Sequence, residues 1–264
     1  MLRKRVIFTL IYNQGFFMQS RNFRLQKVGD INWLEKHYKF QEISFSIDEL
    51  IILNASRDEK LIQDFSKTVQ RLSNNVFIPV AAGGGIRKIE DAEILFNNGA
   101  DKIILNYALL DDVTLVDALV NRYGSQAIVA SIDYKNVNGL QEVYVVNGTK
   151  KTGITLSDYI KYIENLQVGE IYLNSIDKDG TGFGYDFATI QMIKYEIHVP
   201  LIIAGGAGNA EHLLNGLKID QVSAVATANL FNFIGDSLPK ARKKLLESEI
   251  NIANWECEEA YSDV

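Results

Sequence analysis

Cysteine occurs once, as Cys257, so the chain can close no disulfide within itself and can build no cysteine-based zinc site. Proline occurs only three times beside 19 glycines, which excludes a collagen-like rod. No apolar run reaches the ~18 residues that a membrane-spanning helix needs, so no such helix is expected. Positive charge is not in excess: 27 Lys and Arg against 33 Asp and Glu leave a net charge of −6. That balance argues against nucleic acid and anionic membranes as partners. It also requires any phosphate site to rest on backbone N–H groups rather than on a basic patch. Histidine is scarce as well. His37, His198 and His212 stand singly, so no metal ligand set is expected, and no cofactor motif appears. There is no serine nucleophile elbow, no Walker loop and no HExxH pair. A single cysteine suits a reducing cytoplasm, which is the expected compartment.

Apolar residues make up 47% of the 264 positions and charged residues 23%, ordinary values for a globular chain. The start, from Met1 to Ile11, is basic and then apolar, which superficially matches a secretion signal. Asn13-Gln14-Gly15 breaks the run and no small-x-small cleavage site follows, so it reads as a buried first strand. Short, nearly continuous apolar runs recur at 6–11, 50–54, 80–82, 102–106, 127–132, 170–174, 201–204 and 224–226. Runs of this kind mark parallel strands buried on both faces. Amphipathic stretches lie between them, including 91–96, which stops at Asn98-Gly99, and 156–166, 190–196 and 238–247. Eight such units in one chain predict a single-domain (β/α)8 TIM barrel over 1–264, with an open doubly wound sheet as the alternative.

The two halves of the chain resemble each other. Pro79-Val80-Ala81-Ala82-Gly83-Gly84-Gly85 reads onto Pro200-Leu201-Ile202-Ile203-Ala204-Gly205-Gly206 at a shift of 121, and residues 6–11 read onto 128–133 at a shift of 122. A repeat of half the chain predicts two fused half-barrels, each covering the other's open edges. Two glycine clusters follow strands at matching places, Gly83-Gly84-Gly85 and Gly205-Gly206 with Gly208. Glycine lets N–H groups approach an anion, and the helix that follows adds partial positive charge. The pair predicts a ligand with a phosphate at each end; two tight turns needing positive φ are the alternative.

Asp177-Lys178-Asp179-Gly180-Thr181-Gly182 brings carboxylates and a hydroxyl to the same face, or else caps the next helix. It lacks the terminal glutamate of a calcium loop. Asp133 ends the fifth strand, where a carboxylate in a barrel mouth can act as acid or base. Asn138-Gly139 and Asn147-Gly148 bracket an alternating segment and predict a hairpin. The stretch 15–30 is long for a strand-to-helix loop and reads as a lid. The tail 248–264, with Trp255, Cys257 and Tyr261 among acidic residues, is expected to pack on the barrel or meet a partner.

Taken together, Gly83-Gly84-Gly85-Ile86-Arg87, Gly99-Ala100-Asp101-Lys102, Gly124-Ser125-Gln126-Ala127, Ser175-Ile176-Asp177-Lys178-Asp179-Gly180-Thr181 and Gly205-Gly206-Ala207-Gly208 resemble the cyclase subunit of imidazole glycerol phosphate synthase (HisF) over nearly the whole chain. The resemblance implies a barrel that binds a bisphosphorylated ribonucleotide. It also implies ammonia delivered along the barrel axis from a glutaminase (HisH-like) subunit docked on the bottom face. By position it places one phosphate at Gly84, Gly85 and Asn106. It places the other at Asp179, Gly180, Thr181, Gly205 and Gly206, with Ala228 and Asn229 near. Asp133 becomes the catalytic carboxylate. Arg5, Glu49, Lys102 and Glu170 become a charged ring gating ammonia, and Asp101 lies at the partner interface. Two cations and two anions at strand starts can pair around one opening, which offsets the cost of burying them.

Departures from that family pattern are informative. The family carries catalytic aspartates at the ends of the first and fifth strands, and the internal repeat pairs position 133 with Ile11. Isoleucine moves no proton, and general acid–base help is worth about 10²–10⁴-fold. Tyr12-Asn13-Gln14-Gly15-Phe16-Phe17-Met18-Gln19 replaces a charged, lysine-containing loop and predicts a Phe-Phe-Met lid over a more apolar ligand. Asn54 and Tyr107 replace an aspartate and a threonine. The pattern resembles a divergent paralogue of the kind found beside amidotransferases of surface-polysaccharide (lipopolysaccharide) sugars, where an acetamido group becomes acetamidino. That resemblance implies a phosphorylated or sugar acceptor and a third, ATP-using amidotransferase protein. A histidine-pathway cyclase and a non-catalytic scaffold are the alternatives.

Overall fold

The first strand is held from both sides. In the computed structural model, which describes residues 3–38, 40–56 and 61–254, β1 (Arg5–Asn13) is followed by a hairpin of β2 (Phe16–Arg21) and β3 (Arg24–Gly29). Next come α1 (Ile31–His37), α2 (Phe40–Ile43), β4 (Glu49–Asn54) and α3 (Ile62–Ser73). Then follow β5 (Val80–Gly83), α4 (Ile89–Asn97), β6 (Lys102–Leu105), α5 (Ala108–Asp111) and α6 (Val113–Tyr123). The second half runs through β7 (Ile128–Val137), β8 (Leu140–Val145), β9 (Lys150–Thr155), α7 (Leu156–Glu164) and β10 (Glu170–Ser175). It ends with α8 (Phe187–Ile193), β11 (Leu201–Ala204), α9 (Ala210–Leu217), β12 (Val222–Thr227) and α10 (Ser237–Glu247).

The strand order β1-β4-β5-β6-β7-β10-β11-β12 closes when β12 pairs with β1, and every one of these pairings is parallel. The eight expected strands are therefore the staves of a closed (β/α)8 barrel, and the open sheet is excluded. Two apolar layers hold it. Between staves and helices lie Phe8, Leu10, Leu50, Ile52, Ile132, Leu173 and their helix partners; inside the barrel lie Ile7, Ile51, Ala81, Ile104, Val129, Tyr172 and Ile202. This two-sided burial is why the strands read as continuous apolar runs.

Helix ends follow their sequence signals. Asp30, Asp112, Thr155, Asp186 and Asn209 each accept a first-turn N–H, a cap worth about 1 kcal/mol. Asn98-Gly99 ends α4 with Gly99 at φ 92°; the Gly99 and Ala100 N–H groups bond the Phe96 and Leu95 carbonyls. Among the described residues no helix is long and apolar enough to cross a membrane.

Three expectations change here. Residues 15–30 are not an irregular loop: β2 pairs antiparallel with β1 and with β3. The Phe-Phe-Met lid is also corrected. Phe17 is fully buried beside Tyr12, Met18 is buried, and Phe16 carries Lys27 Nζ 3.0 Å above its ring. The second insertion is larger than a hairpin, because β7 runs on to Val137 and β8 and β9 add two antiparallel strands. Of the tail, Ile250 and Ile252 pack on the core, whereas Trp255, Cys257 and Tyr261 lie outside the described residues.

Candidate functional site

Inward positions along a strand recur every second residue. Arg5 is therefore followed inside the barrel by Ile7, Thr9 and Ile11, Glu49 by Ile51 and Leu53, Lys102 by Ile104 and Asn106, and Glu170 by Tyr172 and Asn174. The series runs from a charged floor, through an apolar layer, to an open mouth at the strands' C-terminal ends.

The mouth is a cavity of about 570 Å³. Its wall holds Gly84 and Gly85 on one side and Gly180, Gly205, Gly206, Ala228 and Asn229 on the other. Both glycine clusters thus open on one space. Gly84, Gly85, Gly180, Gly205 and Gly206 all have positive φ. A Cβ on Gly84 would stand 2.2 Å from the Asn54 carbonyl oxygen, and one on Gly206 2.1 Å from that of Gly184. These turns admit no side chain, so the tight-turn reading holds, and the same turns leave bare backbone facing the cavity.

Asp133 lies in the wall and is buried. It accepts hydrogen bonds from the side-chain amides of Asn106 at 3.0 Å and Asn174 at 3.3 Å. Asn106 spends its other amide proton on the Ser131 carbonyl at 3.0 Å, so it positions the carboxylate and has no amide proton left for an anion. Ile11 shares the cavity and adds a branched apolar surface at the position that the repeat pairs with Asp133. Tyr172 forms part of the floor, its hydroxyl 3.4 Å from Thr9 Oγ1.

Asp179 plays a different part from the expected phosphate contact. Its carboxylate accepts the Ser20 hydroxyl at 2.5 Å and the Phe23 N–H at 3.0 Å, so it anchors the tip of the β2–β3 hairpin over the mouth. Burial pushes its carboxyl up, against the stabilising pull of those two donors. Thr181 also departs from expectation. It lies outside the cavity wall, and its hydroxyl donates to the Lys178 carbonyl at 2.8 Å, closing the turn. The histidines lie elsewhere: His37 stacks on Trp33, His198 faces Glu164, and His212 Nδ1 accepts the Gly208 N–H. Among the described residues no three or more His, Cys, Asp or Glu side chains gather as a metal site.

At the other end of the axis the four charged residues form one network. Arg5 bonds Glu49 at 2.7 Å and Glu170 at 2.5 Å; Lys102 bonds Glu49 at 3.0 Å and Glu170 at 2.9 Å. Each charge touches two of opposite sign, which is the condition under which burying ions is tolerable. The two carboxylates are not equivalent. Burial pushes Glu49 up despite the nearby cations. Burial also acts on Glu170, but Arg5 and Lys102 outweigh it and hold that carboxyl below the usual range. Asp101 sits on the same bottom face, exposed, with its carboxylate accepting the Val80 N–H at 2.8 Å.

Sequence reasoning missed Asn174 and Tyr172, although the two-residue period counted from Glu170 identifies both. It placed a lid at 15–30, and the β2–β3 hairpin does roof the mouth through Gln19, Phe23 and Leu25; it missed that the β8–β9 segment joins that roof through Val146 and Asn147.

Comparison with known proteins agrees with this geometry. The family described as "Histidine biosynthesis protein" matches residues 21–235. A Parasynechococcus marenigrum (strain WH8102) protein named "Putative imidazole glycerol phosphate synthase subunit hisF2" is 42% identical over 256 residues, covering 97% of this chain and 95% of that protein. The imidazole glycerol phosphate synthase subunit HisF of Chloroherpeton thalassium is 36% identical over 253 residues, covering 96% of this chain and 99% of its own. That of Chlorobaculum tepidum is 35% identical over the same length and the same shares.

Proposed function

The chain belongs to the histidine biosynthesis protein family as a divergent HisF-type paralogue, and from that premise we propose that it is the synthase-type subunit of a glutamine amidotransferase. A HisH-like glutaminase docks on the bottom face around Asp101 and releases ammonia at the ring. The ammonia crosses the barrel and reaches a phosphate-bearing or sugar acceptor at the mouth. The observation that carries this reading is the mutually neutralising ring beneath a buried apolar layer and an open cavity.

Physical chemistry supports the traffic. Ammonium pays heavily to enter an apolar layer, whereas neutral ammonia does not carry that charge penalty. The layer of Ile7, Ile51, Ala81, Ile104, Val129 and Ile202 therefore favours the nucleophilic form. The ring, with contacts of 2.5–3.0 Å, is shut, and Lys102 is the member best suited to swing aside on a flexible four-carbon stem. At the mouth, Asp133 is the proton-transferring group, and its two asparagine donors fix its direction. The chemistry is altered, because Ile11 leaves the mouth with one such carboxylate. This favours transfer to a different acceptor, with a third ATP-using protein activating it, as in amidation of a surface-polysaccharide sugar. A cyclase of histidine biosynthesis is the second reading, favoured by both glycine cradles and Asp133 sharing one cavity.

The test uses the chain with its cognate glutaminase. Adding the chain is expected to raise glutamine hydrolysis. Lys102→Glu is expected to leave the chain folded and to uncouple glutamine-driven from ammonia-driven product formation. Equal loss of both activities counts against a gate, and no stimulation of the glutaminase defeats the ammonia reading.

A further inference from the structure

Between the charged ring and the mouth, the barrel axis is not an open pipe. Tyr172 stands in the interior apolar layer, where every other buried member is Ile, Val or Ala. Its hydroxyl lies 3.4 Å from Thr9 Oγ1. Tyr172 belongs to β10 and Thr9 to β1, and in the closed sheet these strands stand three places apart, with β11 and β12 between them. Neighbouring strands are spaced ~4.8 Å apart, so the separation along the wall is ~14 Å. Two side chains on such strands meet only by reaching across the lumen. The tyrosine ring therefore lies athwart the axis, with its hydroxyl at the base of the mouth cavity, whose wall includes both residues. The contact that holds it there is weak, because an O–H···O bond is ordinarily about 2.5–3.0 Å long. Each hydroxyl can donate once and accept twice, so much of that capacity is unspent. Both residues are buried, which keeps the pair out of bulk water. Burial also pushes the Tyr172 hydroxyl well above its usual pKa, against a smaller opposing pull from Thr9, so it remains a donor.

We propose that Tyr172 and Thr9 form an upper gate on the axis, where one ammonia molecule lodges between the two hydroxyls before it enters the mouth. The proposal rests on the ammonia reading above and adds a second barrier to the charged ring. Ammonia carries one lone pair and three N–H bonds. It accepts the tyrosyl proton and donates to Thr9 Oγ1, replacing one long hydrogen bond by two of ordinary length. Inserting a nitrogen widens the gap between the two oxygens, and the ring tilts off the axis to make that room. Ammonium has no lone pair to accept from Tyr172, and its charge is costly to bury beside an apolar layer. Water fits both ends but is the weaker base, so a tyrosyl donor favours ammonia. The gate thus selects the same neutral form that the layer below it admits, and at rest it parts that layer from the solvent of the mouth.

Fluorine NMR of the full chain labelled with fluorotyrosine reads the gate directly, because the Tyr172 signal is the one missing from Tyr172→Phe. Ammonium chloride at pH 9, where much of it is free ammonia, is expected to shift that signal saturably. The same salt at pH 6 and sodium chloride at equal ionic strength are expected to leave it in place. So is trimethylamine at pH 9, which has the lone pair but no N–H for Thr9. Thr9→Val, close in shape, is expected to weaken the response roughly 3- to 10-fold, the scale of one hydrogen bond, and Thr9→Ser to keep it. Thermal melting checks that both variants stay folded. No shift with ammonia, an equal shift with sodium chloride or trimethylamine, or a response untouched by Thr9→Val overturns the proposal. Glutaminase stimulation is measured separately. A chain that stimulates its partner while Tyr172 ignores ammonia loses the gate and keeps the ammonia reading; the reverse keeps the site and loses the traffic.

Discussion

The two ends of this barrel are built on opposite rules. At the bottom, Arg5, Glu49, Lys102 and Glu170 satisfy one another, and the fold alone accounts for where they are. At the mouth, the groups face a cavity instead of one another: paired glycine turns, a carboxylate oriented by two asparagines, and two hairpins that roof the space. In a closed network a vacancy costs stability, because removing one partner leaves a partly buried charge underpaired. An open cavity tolerates substitution and changes its chemistry instead. On the function proposed above, the floor is the part such a scaffold must keep and the mouth, where Ile11 stands, is the part that can change.

The largest expected effect is therefore chemical and lies at the mouth. Ile11→Asp adds a carboxylate to the cavity that holds Asp133. Ammonia-dependent cyclisation of a bisphosphorylated ribonucleotide is expected to rise by ~10²-fold or more, within the usual span of acid–base help. A flat response shows that the mouth has diverged beyond this one position. Next in size is Glu49→Ala at the floor. Glu49 has only 2% of its side chain exposed and bonds both cations, so its loss is expected to cost about 3–5 kcal/mol by chemical denaturation. Asp133→Asn, which keeps its shape at the mouth, is expected to cost clearly less. Similar costs at the two sites would erase the contrast between them.

The floor was more legible in the sequence than the mouth, for a physical reason. Strand starts are fixed by register, and parallel strands buried on both faces announce themselves as apolar runs. The family resemblance named the charges at those starts, and the closed barrel brings them together. The half-chain repeat likewise set Ile11 against Asp133 before any coordinates. What the sequence did not reveal depends on where hairpins fold back. Phe16, Phe17 and Met18 looked like a lid because they are apolar, yet β2 turns Phe17 into the core and leaves Gln19 to the mouth. The side chains of Asn106, Asp179 and Thr181 sit where expected in the chain but spend their hydrogen bonds on neighbouring protein groups. Partner choice among nearby polar groups is a tertiary fact, and no spacing encodes it.

A smaller effect tests the roof. Gly180 has φ 67°, and a Cβ there would lie 2.0 Å from the Ser20 carbonyl oxygen in the hairpin. Gly180→Ala is expected to lift the β2–β3 tip off Asp179 and cost about 1–3 kcal/mol, the scale of such backbone strain. Hydrogen exchange should then speed up at residues 20–23 while β4 through β7 stay protected. Uniform loss of protection would mean that the roof and the barrel unfold as one unit.

The smallest effect separates the two carboxylates of the floor by pH. The Glu170 carboxyl sits below its unfolded value because Arg5 and Lys102 outweigh burial. Its contribution is thus fully present above the ordinary carboxylate range and is lost as pH falls through the depressed folded value. Glu49 is shifted up by burial, so the folded chain holds its proton into a range where the unfolded chain has released it. Stability contributed there declines as pH rises, the opposite slope. Glu170→Gln is accordingly expected to lower stability by about 1 kcal/mol at pH 7, a solvent-discounted figure, with the difference from wild type shrinking below about pH 4. Urea titrations of wild type and variant across pH 3–8 measure it. A gap that stays constant into acid would mean that Glu170 acts through packing rather than charge, and the floor would then not be the electrostatic closure that sets it apart from the mouth.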